Sequence, residues 1–179
     1  MPDLIRNVPL IETVPQSPLW LASLGRWMDA GVLERAGSAD HPLIVEMIKR
    51  VGLAARHDET PWCSAAMNAA VEESGLSGTR RANARSWEAW GERLAEPRFG
   101  CIAVLWRGTP NSGQGHVACW LGEVPGGQMA LLGGNQHNRV GVSLYPRARL
   151  LSFRWPDEEC LDEARRPTVR ESVRAKAKP

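Results

Sequence analysis

Several common sequence features are missing from this chain, and each absence removes support for a class of function. No apolar run is long enough to span a bilayer, and the first residues lack the basic start and apolar core of a secretion signal. The patterns G-x-x-x-x-G-K-[ST], G-x-G-x-x-G and H-E-x-x-H do not occur, so nucleotide binding and zinc-peptidase chemistry have no motif behind them. We therefore expect a protein that is made in the cytoplasm without a signal peptide and is soluble there.

Paired cysteines at short spacing are also absent. The chain has four cysteines without a C-x-x-C pattern: Cys63, Cys101, Cys119 and Cys160. Cys101 and Cys119 lie in apolar, strand-like runs, where we expect buried free thiols. Together with His116 and His137 these two supply the ligand types of a zinc site, but not its paired short spacings. We expect neither a metal nor an organic cofactor, and zinc chemistry remains the competing alternative.

The small net charge hides a local imbalance. The formal net charge is +2 over 179 residues. From Ala164 to the end there are six basic residues and one acidic residue, Glu171, which gives that segment a charge of +5. The rest of the chain is therefore acidic, and we expect no nucleic-acid partner. The tail suits contact with an anionic outer-membrane surface, or it is a solvated tail without a specific partner.

Hydrophobic periodicity divides the chain into a helical first part and a strand-rich second part. Apolar residues at helical spacing predict helices over 19–28, 42–51, 63–73 and 83–90. After Pro97 the period changes to two, which predicts strands over 101–106, 116–121, 129–132, 140–145 and 150–155. Helices followed by an antiparallel meander indicate an α+β domain over residues 18–156, with an irregular arm over 1–17 and a basic tail over 157–179. One domain of this size suits a monomer.

Cys63 stands where a helix should begin. Thr60 is a good N-cap, Pro61 suits the first helical position, and the run of helix formers that follows stops at Gly75. Cys63 then falls in the first turn, where unpaired N–H groups and the positive end of the helix dipole favour a thiolate. The competing interpretation is a small buried hydrophobe on an apolar helix face.

A histidine and an amide follow in the strand region. His116 opens a predicted strand and shares one face of it with Ala118 and Trp120, so it can project from a sheet edge towards the start of the Cys63 helix. Asn135 follows two glycines at the end of the next strand, where its side chain can fix the tautomer of His116. Gln136 stands next to it and can take that role instead. Cysteine, histidine and amide in this order are typical of papain-like thiol hydrolases.

Tryptophan is unusually frequent, with eight residues against one tyrosine. Four of the tryptophans lie in predicted helices and strands, where we expect core positions: Trp20, Trp27, Trp106 and Trp155. Three others suit either the wall of a groove or the core: Trp62, Trp87 and Trp90.

Five short segments occur in the order found in a known family. They are Asp58-Glu59-Thr60-Pro61-Trp62-Cys63-Ser64, Ala84-Arg85-Ser86-Trp87, Gly115-His116-Val117, Leu132-Gly133-Gly134-Asn135-Gln136 and Arg154-Trp155-Pro156. The sequence resembles the NlpC-type and CHAP-type cysteine peptidases, which are papain-like murein hydrolases of bacteria and phages, over roughly residues 18–156. Two departures stand out. Trp62 occupies the position where many NlpC-type enzymes have Asp, and the neighbourhood of the cysteine offers no glutamine for an oxyanion hole.

The resemblance implies a papain-like fold in which N-terminal helices pack on a small antiparallel sheet. It also implies a catalytic set made of Cys63 as nucleophile, His116 as base and Asn135 as the residue that orients the histidine. The expected reaction is cleavage of an amide bond in the peptide part of peptidoglycan, by an endopeptidase or an N-acetylmuramoyl-L-alanine amidase.

The biological setting follows from the same resemblance. A phage endolysin released through a holin suits a chain without a signal peptide, and a secreted antibacterial effector with the same chemistry is the alternative. Either would act on the bacterial cell wall in the periplasm. A catalytically inactive wall-binding module is a further alternative, from a different class of function.

Overall fold

The computed structural model describes residues 17–35, 40–53 and 61–160, and all structural statements below refer to these residues. Its elements are the helices α1 (Leu19–Asp29), α2 (Pro42–Arg50) and α3 (Cys63–Glu73), a 3-10 helix (Ala84–Ala89), and the strands β1 (Glu92–Leu94), β2 (Ile102–Trp106), β3 (Gly115–Val124), β4 (Gln128–Gly133), β5 (Gly141–Pro146) and β6 (Leu150–Trp155). The helices precede the strands and every strand pair is antiparallel, so the predicted α+β class is confirmed.

The three long helices lie close to where the periodicity predicts them. The fourth predicted helix, over 83–90, is instead a short 3-10 helix whose first turn is capped by the Asn83 side chain accepting from the N–H of Arg85. This segment is too short to build a stable α-helix, and Trp87 pulls it inward by donating its indole N–H to Ser64 Oγ at 2.9 Å.

The ends of α3 differ from each other in how well the sequence predicts them. At the C-terminal end Gly75 adopts φ +79°, its N–H donates to the carbonyl of Glu72, and the N–H of Leu76 donates to that of Val71. This is the expected glycine C-cap. At the N-terminal end the helix begins at Cys63 with Trp62 as N-cap, so Pro61 does not hold the first helical position. The predicted N-cap, Thr60, lies outside the described residues.

The sheet has the order β1-β6-β2-β3-β4-β5. The predicted meander is confirmed for β2 to β5, which are neighbours in sequence order. The last strand departs from it, because β6 crosses back to pair with β2, with Ala103 opposite Phe153. The edge strand β1 was not predicted, since Glu92 and Arg93 break any apolar alternation.

The two faces of the sheet bury separate apolar clusters. The helix-side cluster joins α1, α2 and α3 to one face and includes Val117, Cys119 and Leu121 of β3. The outer cluster lies on the other face and includes Ala118, with Trp120 packed against it. The alternation predicted for β3 is therefore confirmed, and it places His116, opposite Leu105, on the outer face.

Most of the tryptophans belong to these clusters. Trp62 and Trp87 are completely buried and Trp90 is nearly so. These three tryptophans therefore belong to the core and do not form the wall of a groove. Trp20 and Trp27 are buried as expected, whereas Trp106 and Trp155 are half-buried.

The arm and most of the tail lie outside the described residues. Residues 157–160 pack on the domain: Cys160 is buried, and its carbonyl accepts from the N–H of Ser77 at 2.7 Å. Within the described ranges no helix has the length and apolar character needed to cross a membrane.

Candidate active site

Helix α3 brings the Cys63 thiol to the beginning of strand β3. Cys63 is the first residue of the helix, in the first turn as predicted, and its side chain is only 8% exposed. The backbone N–H groups of Val117, of Ser64 and of Cys63 itself act to lower the pKa of the thiol, which places the sulfur close to the backbone of Val117. The sulfur therefore lies beside the residue that directly follows His116.

The protonation state of Cys63 differs from the prediction. Burial raises the pKa of the Cys63 thiol above its ordinary value of 9, although the N–H groups of Val117 and Ser64 and the charge of Arg107 act to lower it. Removal of the thiol from water thus outweighs the helix start that the sequence analysis relied on. In the resting structure Cys63 carries a neutral thiol.

His116 is held at the start of β3 by an aromatic neighbour. Its ring stacks on Tyr145 of β5, with centroids 5.1 Å apart and planes 25° apart. The pKa of His116 is lowered to about 4, chiefly by burial; the Gln136 side chain opposes this, and the charges of Arg107 and Arg149 add to the lowering. The imidazole is therefore neutral near pH 7 and available as a proton acceptor.

Gln136 is the amide side chain that lies against His116. Its Nε2 donates to the carbonyls of Leu131 (3.1 Å) and Gly141, which fixes the orientation of the amide. Its Oε1 acts on His116 as an acceptor that favours the protonated ring. Within the described part of the chain neither Gln136 Oε1 nor His116 Nε2 has a partner in full hydrogen-bond geometry. Gln136 Oε1 is thus a buried acceptor without a partner, on the side chain that acts on the His116 ring.

Asn135 has a different set of contacts. When its amide is oriented to satisfy both atoms, Nδ2 donates to Glu34 at 3.3 Å and Oδ1 accepts from the backbone N–H of Trp62 at 3.2 Å. The residue adopts φ +55°, a left-handed conformation that turns the chain directly after β4. The structure therefore joins Asn135 to the start of α3, and it places Gln136, not Asn135, beside the histidine.

Glycine at position 134 allows the helix and the sheet to meet. A Cβ atom there would lie 2.5 Å from the Ala66 Cβ and 2.6 Å from a ring carbon of Trp62. The Trp62 indole in turn donates to Glu34 at 2.8 Å, so the Glu34 carboxylate accepts hydrogen bonds from both Trp62 and Asn135. These contacts set the approach of α3 to the ends of β3 and β4, and thereby the position of Cys63.

Tyr145 and Glu34 were missed by the sequence analysis. Tyr145 stacks on His116, and its pKa is raised to about 12 by burial and by the neighbouring Cys63. Its only sequence signal is that it is the single tyrosine of the chain. Glu34 lies after α1 in a segment with no periodic pattern, and nothing in the sequence indicates its contacts.

The ligand types of the alternative zinc site are not brought together. Cys101 and Cys119 are buried free thiols on opposite faces of the sheet, and His137 is exposed and lies near Ser143. No group of three or more His, Cys, Asp or Glu side chains among the described residues is arranged to hold a metal ion.

Comparison with known proteins gives no relative from which a function can be transferred: no protein-family model and no curated protein matches the sequence. The chemistry of the site therefore rests on its geometry. The structure places a thiol at a helix start, a neutral imidazole on the adjoining strand and a fixed amide beside that imidazole. Among the described residues no hydrogen bond joins the Cys63 thiol to the His116 ring.

Proposed function

We propose that this protein is a papain-like cysteine hydrolase of the NlpC or CHAP type that cleaves an amide bond in the peptide part of peptidoglycan. The chemical half of this proposal is supported by the placement of Cys63 at the start of α3, where the backbone of Val117 acts on its thiol, and of His116 as the residue before Val117. The amide of Gln136 lies beside the His116 ring and is fixed by its bond to the Leu131 carbonyl. The identity of the substrate rests on the family resemblance of the sequence segments around these residues.

The proposed reaction begins from a neutral thiol and a neutral imidazole. As the Cys63 sulfur attacks the amide carbonyl, His116 takes the thiol proton, and a tetrahedral intermediate forms. The backbone N–H of Cys63 at the start of α3 helps to hold the oxyanion. The imidazolium then gives its proton to the departing amine, which leaves a thioester that water hydrolyses with His116 as base. No metal or organic cofactor takes part.

Gln136 is the better supported orienting residue in this scheme. Protonation of His116 during the attack places a second N–H on the ring, and Gln136 Oε1 is the buried acceptor beside it. Asn135 is already engaged with Trp62 and Glu34, so its role is to hold the start of α3. The orienting role that the sequence analysis assigned to Asn135 is therefore proposed for its neighbour.

The proposed setting is the bacterial cell wall, reached either as a phage endolysin or as a secreted antibacterial effector. The stem peptide is the proposed substrate, and the scissile bond is either the amide to the sugar lactyl group or a bond within the stem. The segment from Ala164 to the end is proposed to contact anionic outer-membrane lipids through its charge of +5.

The test is digestion of purified peptidoglycan by the wild type and by two variants, in each of which one cysteine is replaced by alanine. Cys63→Ala should release no soluble fragments, because it removes the nucleophile. Cys160→Ala is the matched control: Cys160 lies near Asp157, and burial raises its pKa to about 11, so its loss should leave the rate unchanged. Equal release by wild type and Cys63→Ala would contradict the thiol mechanism. Binding of wild type to the wall without any release would favour the inactive wall-binding module.

A further inference from the structure

Two arginines lie beside the proposed catalytic residues. Arg149 follows β5, and its guanidinium lies over the rings of Trp106 and Tyr145, with centroid distances of 5.4 Å and 5.7 Å. Its Nε and one Nη donate to the carbonyl of Trp106 at 3.2 Å and 3.0 Å. Since Tyr145 stacks on His116, the Arg149 charge is held one ring away from the imidazole.

Arg107 approaches the same place from β2. It directly follows Trp106, which pairs with Gly115, and its backbone N–H donates to Gln114 at 3.1 Å. It is therefore held across the hairpin from His116, and its side chain is exposed. The electrostatic influence of Arg107 reaches the Cys63 thiol, the His116 ring and the Tyr145 hydroxyl alike.

Neither arginine has an ion-pair partner within residues 17–35, 40–53 and 61–160. The ion pairs among the described residues include neither Arg107 nor Arg149. By contrast, Arg85 and Arg147 are paired with Glu88 and Glu123. A positive field next to a general base weakens that base, so two unpaired cations there disfavour the chemistry unless a ligand compensates for them.

We propose that Arg107 and Arg149 form an anion subsite that receives a carboxylate of the substrate next to the bond attacked by Cys63. This inference rests on the proposed function and narrows it to amides that carry a free carboxylate close to the scissile bond. Arg149 is suited to bind a carboxylate because its Nε and one Nη are fixed on the Trp106 carbonyl. The second Nη of the planar guanidinium can then donate to a carboxylate oxygen. Arg107 adds charge from the exposed side. A bound carboxylate would offset the field that the two cations exert on His116.

The test uses two alkylating reagents of nearly the same shape, anionic iodoacetate and neutral iodoacetamide. Rates of modification at Cys63 are measured by peptide mass spectrometry at low salt, and the ratio of the two rates is compared with that of free cysteine. The anion subsite should raise the ratio at Cys63 above that of free cysteine. Arg107→Gln and Arg149→Gln should each lower it about fivefold, from the Coulomb energy of unit charges roughly 10 Å apart at a dielectric between protein surface and water. Added salt should reduce the same ratio.

Two variants serve as controls. Arg93→Gln removes an exposed arginine from the edge strand β1, three strands from β3, and should leave the ratio unchanged. Arg149→Lys keeps the charge and should retain most of the effect. A ratio at or below that of free cysteine, including no measurable reaction with iodoacetate, would overturn the inference. An equal fall in Arg93→Gln would also overturn it, because the effect would then come from overall charge.

The outcome for the subsite is separable from that for the proposed function. A wild type that digests peptidoglycan but shows no raised ratio would refute the subsite alone. A raised ratio that depends on Arg107 and Arg149, in a protein that digests no peptidoglycan, would support the subsite and refute the substrate assignment.

Discussion

Substituting Gly134 by alanine tests how the fold positions the Cys63 thiol. Gly134 follows β4, where α3 comes closest to the sheet. A Cβ atom at this position would lie 2.5 Å from Ala66 Cβ and 2.6 and 2.8 Å from two ring carbons of Trp62. These distances are far below van der Waals contact, so either the helix or the strand end must move.

The cost is expected at the upper end of the range for overpacking, about 3 kcal/mol. The reason is that neither neighbour can yield easily: Trp62 is fully buried with its indole bonded to Glu34, and Ala66 belongs to the first turns of α3. With a urea dependence of about 2 kcal/mol per molar, this cost should lower the unfolding midpoint by about 1.5 M. Displacement of the helix start should also change the rate at which iodoacetamide modifies Cys63 under native conditions.

Gly141→Ala is the matched control for this experiment. A Cβ atom at Gly141 would meet only the Arg139 side chain, at 3.8 Å and 3.9 Å, which is ordinary contact. The free energy of unfolding of Gly141→Ala should therefore stay within about 0.5 kcal/mol of that of the wild type. An unchanged midpoint for Gly134→Ala, or an equal loss for both variants, would refute the close approach of α3 to the sheet.

Three further predictions concern the site residues themselves. The pKa of His116 is about 4 in the folded state and 6.5 in the unfolded chain, so between these pH values the folded state binds fewer protons than the unfolded chain. The contribution of His116 to the free energy of unfolding should therefore be full above pH 6.5 and should fall by about 3 kcal/mol towards pH 4. Denaturant unfolding of His116→Gln should lack that loss, and parallel curves for both proteins would contradict it. Gln136→Leu should lower kcat more than Asn135→Ala, with folding checked by circular dichroism; an inactive Asn135→Ala beside an active Gln136→Leu would return the orienting role to Asn135. Iodoacetamide should modify Cys63 before the other three cysteines, which are less exposed, and a faster reaction at any of them would argue against a reactive Cys63.

Local pattern was sufficient to predict most of the elements, β1 and the 3-10 form of residues 84–89 excepted, and the positions of Cys63 and His116 within them. The helical period ending at Gly75 placed Cys63 in the first turn of α3, and the period-two pattern placed His116 near the start of β3. These features depend on neighbouring residues in the chain, which is why they can be read without tertiary contacts. The separate faces of β3 were predicted for the same reason.

Contacts between distant segments decided what the sequence could not. Helix α3 begins at Cys63 with Trp62 in the N-cap position, and the Trp62 indole bonds to Glu34, 28 residues earlier in the chain. Asn135 turns the chain at φ +55°, so Gln136 rather than Asn135 lies against the histidine. The neutral state of the thiol likewise depends on burial by the whole fold, which no local helix signal contains.

The central claim, that Cys63 opens an amide bond of peptidoglycan, is tested most directly by counting the chemical groups that digestion creates. Purified peptidoglycan is digested by wild type and by Cys63→Ala, and the soluble fragments are analysed by mass spectrometry together with assays for new amino groups and new reducing sugars. Amide hydrolysis predicts that wild type creates amino groups in step with the fragments released, creates no reducing sugars, and loses this activity in Cys63→Ala. New reducing sugars without new amino groups, or amide products that persist in Cys63→Ala, would contradict the claim.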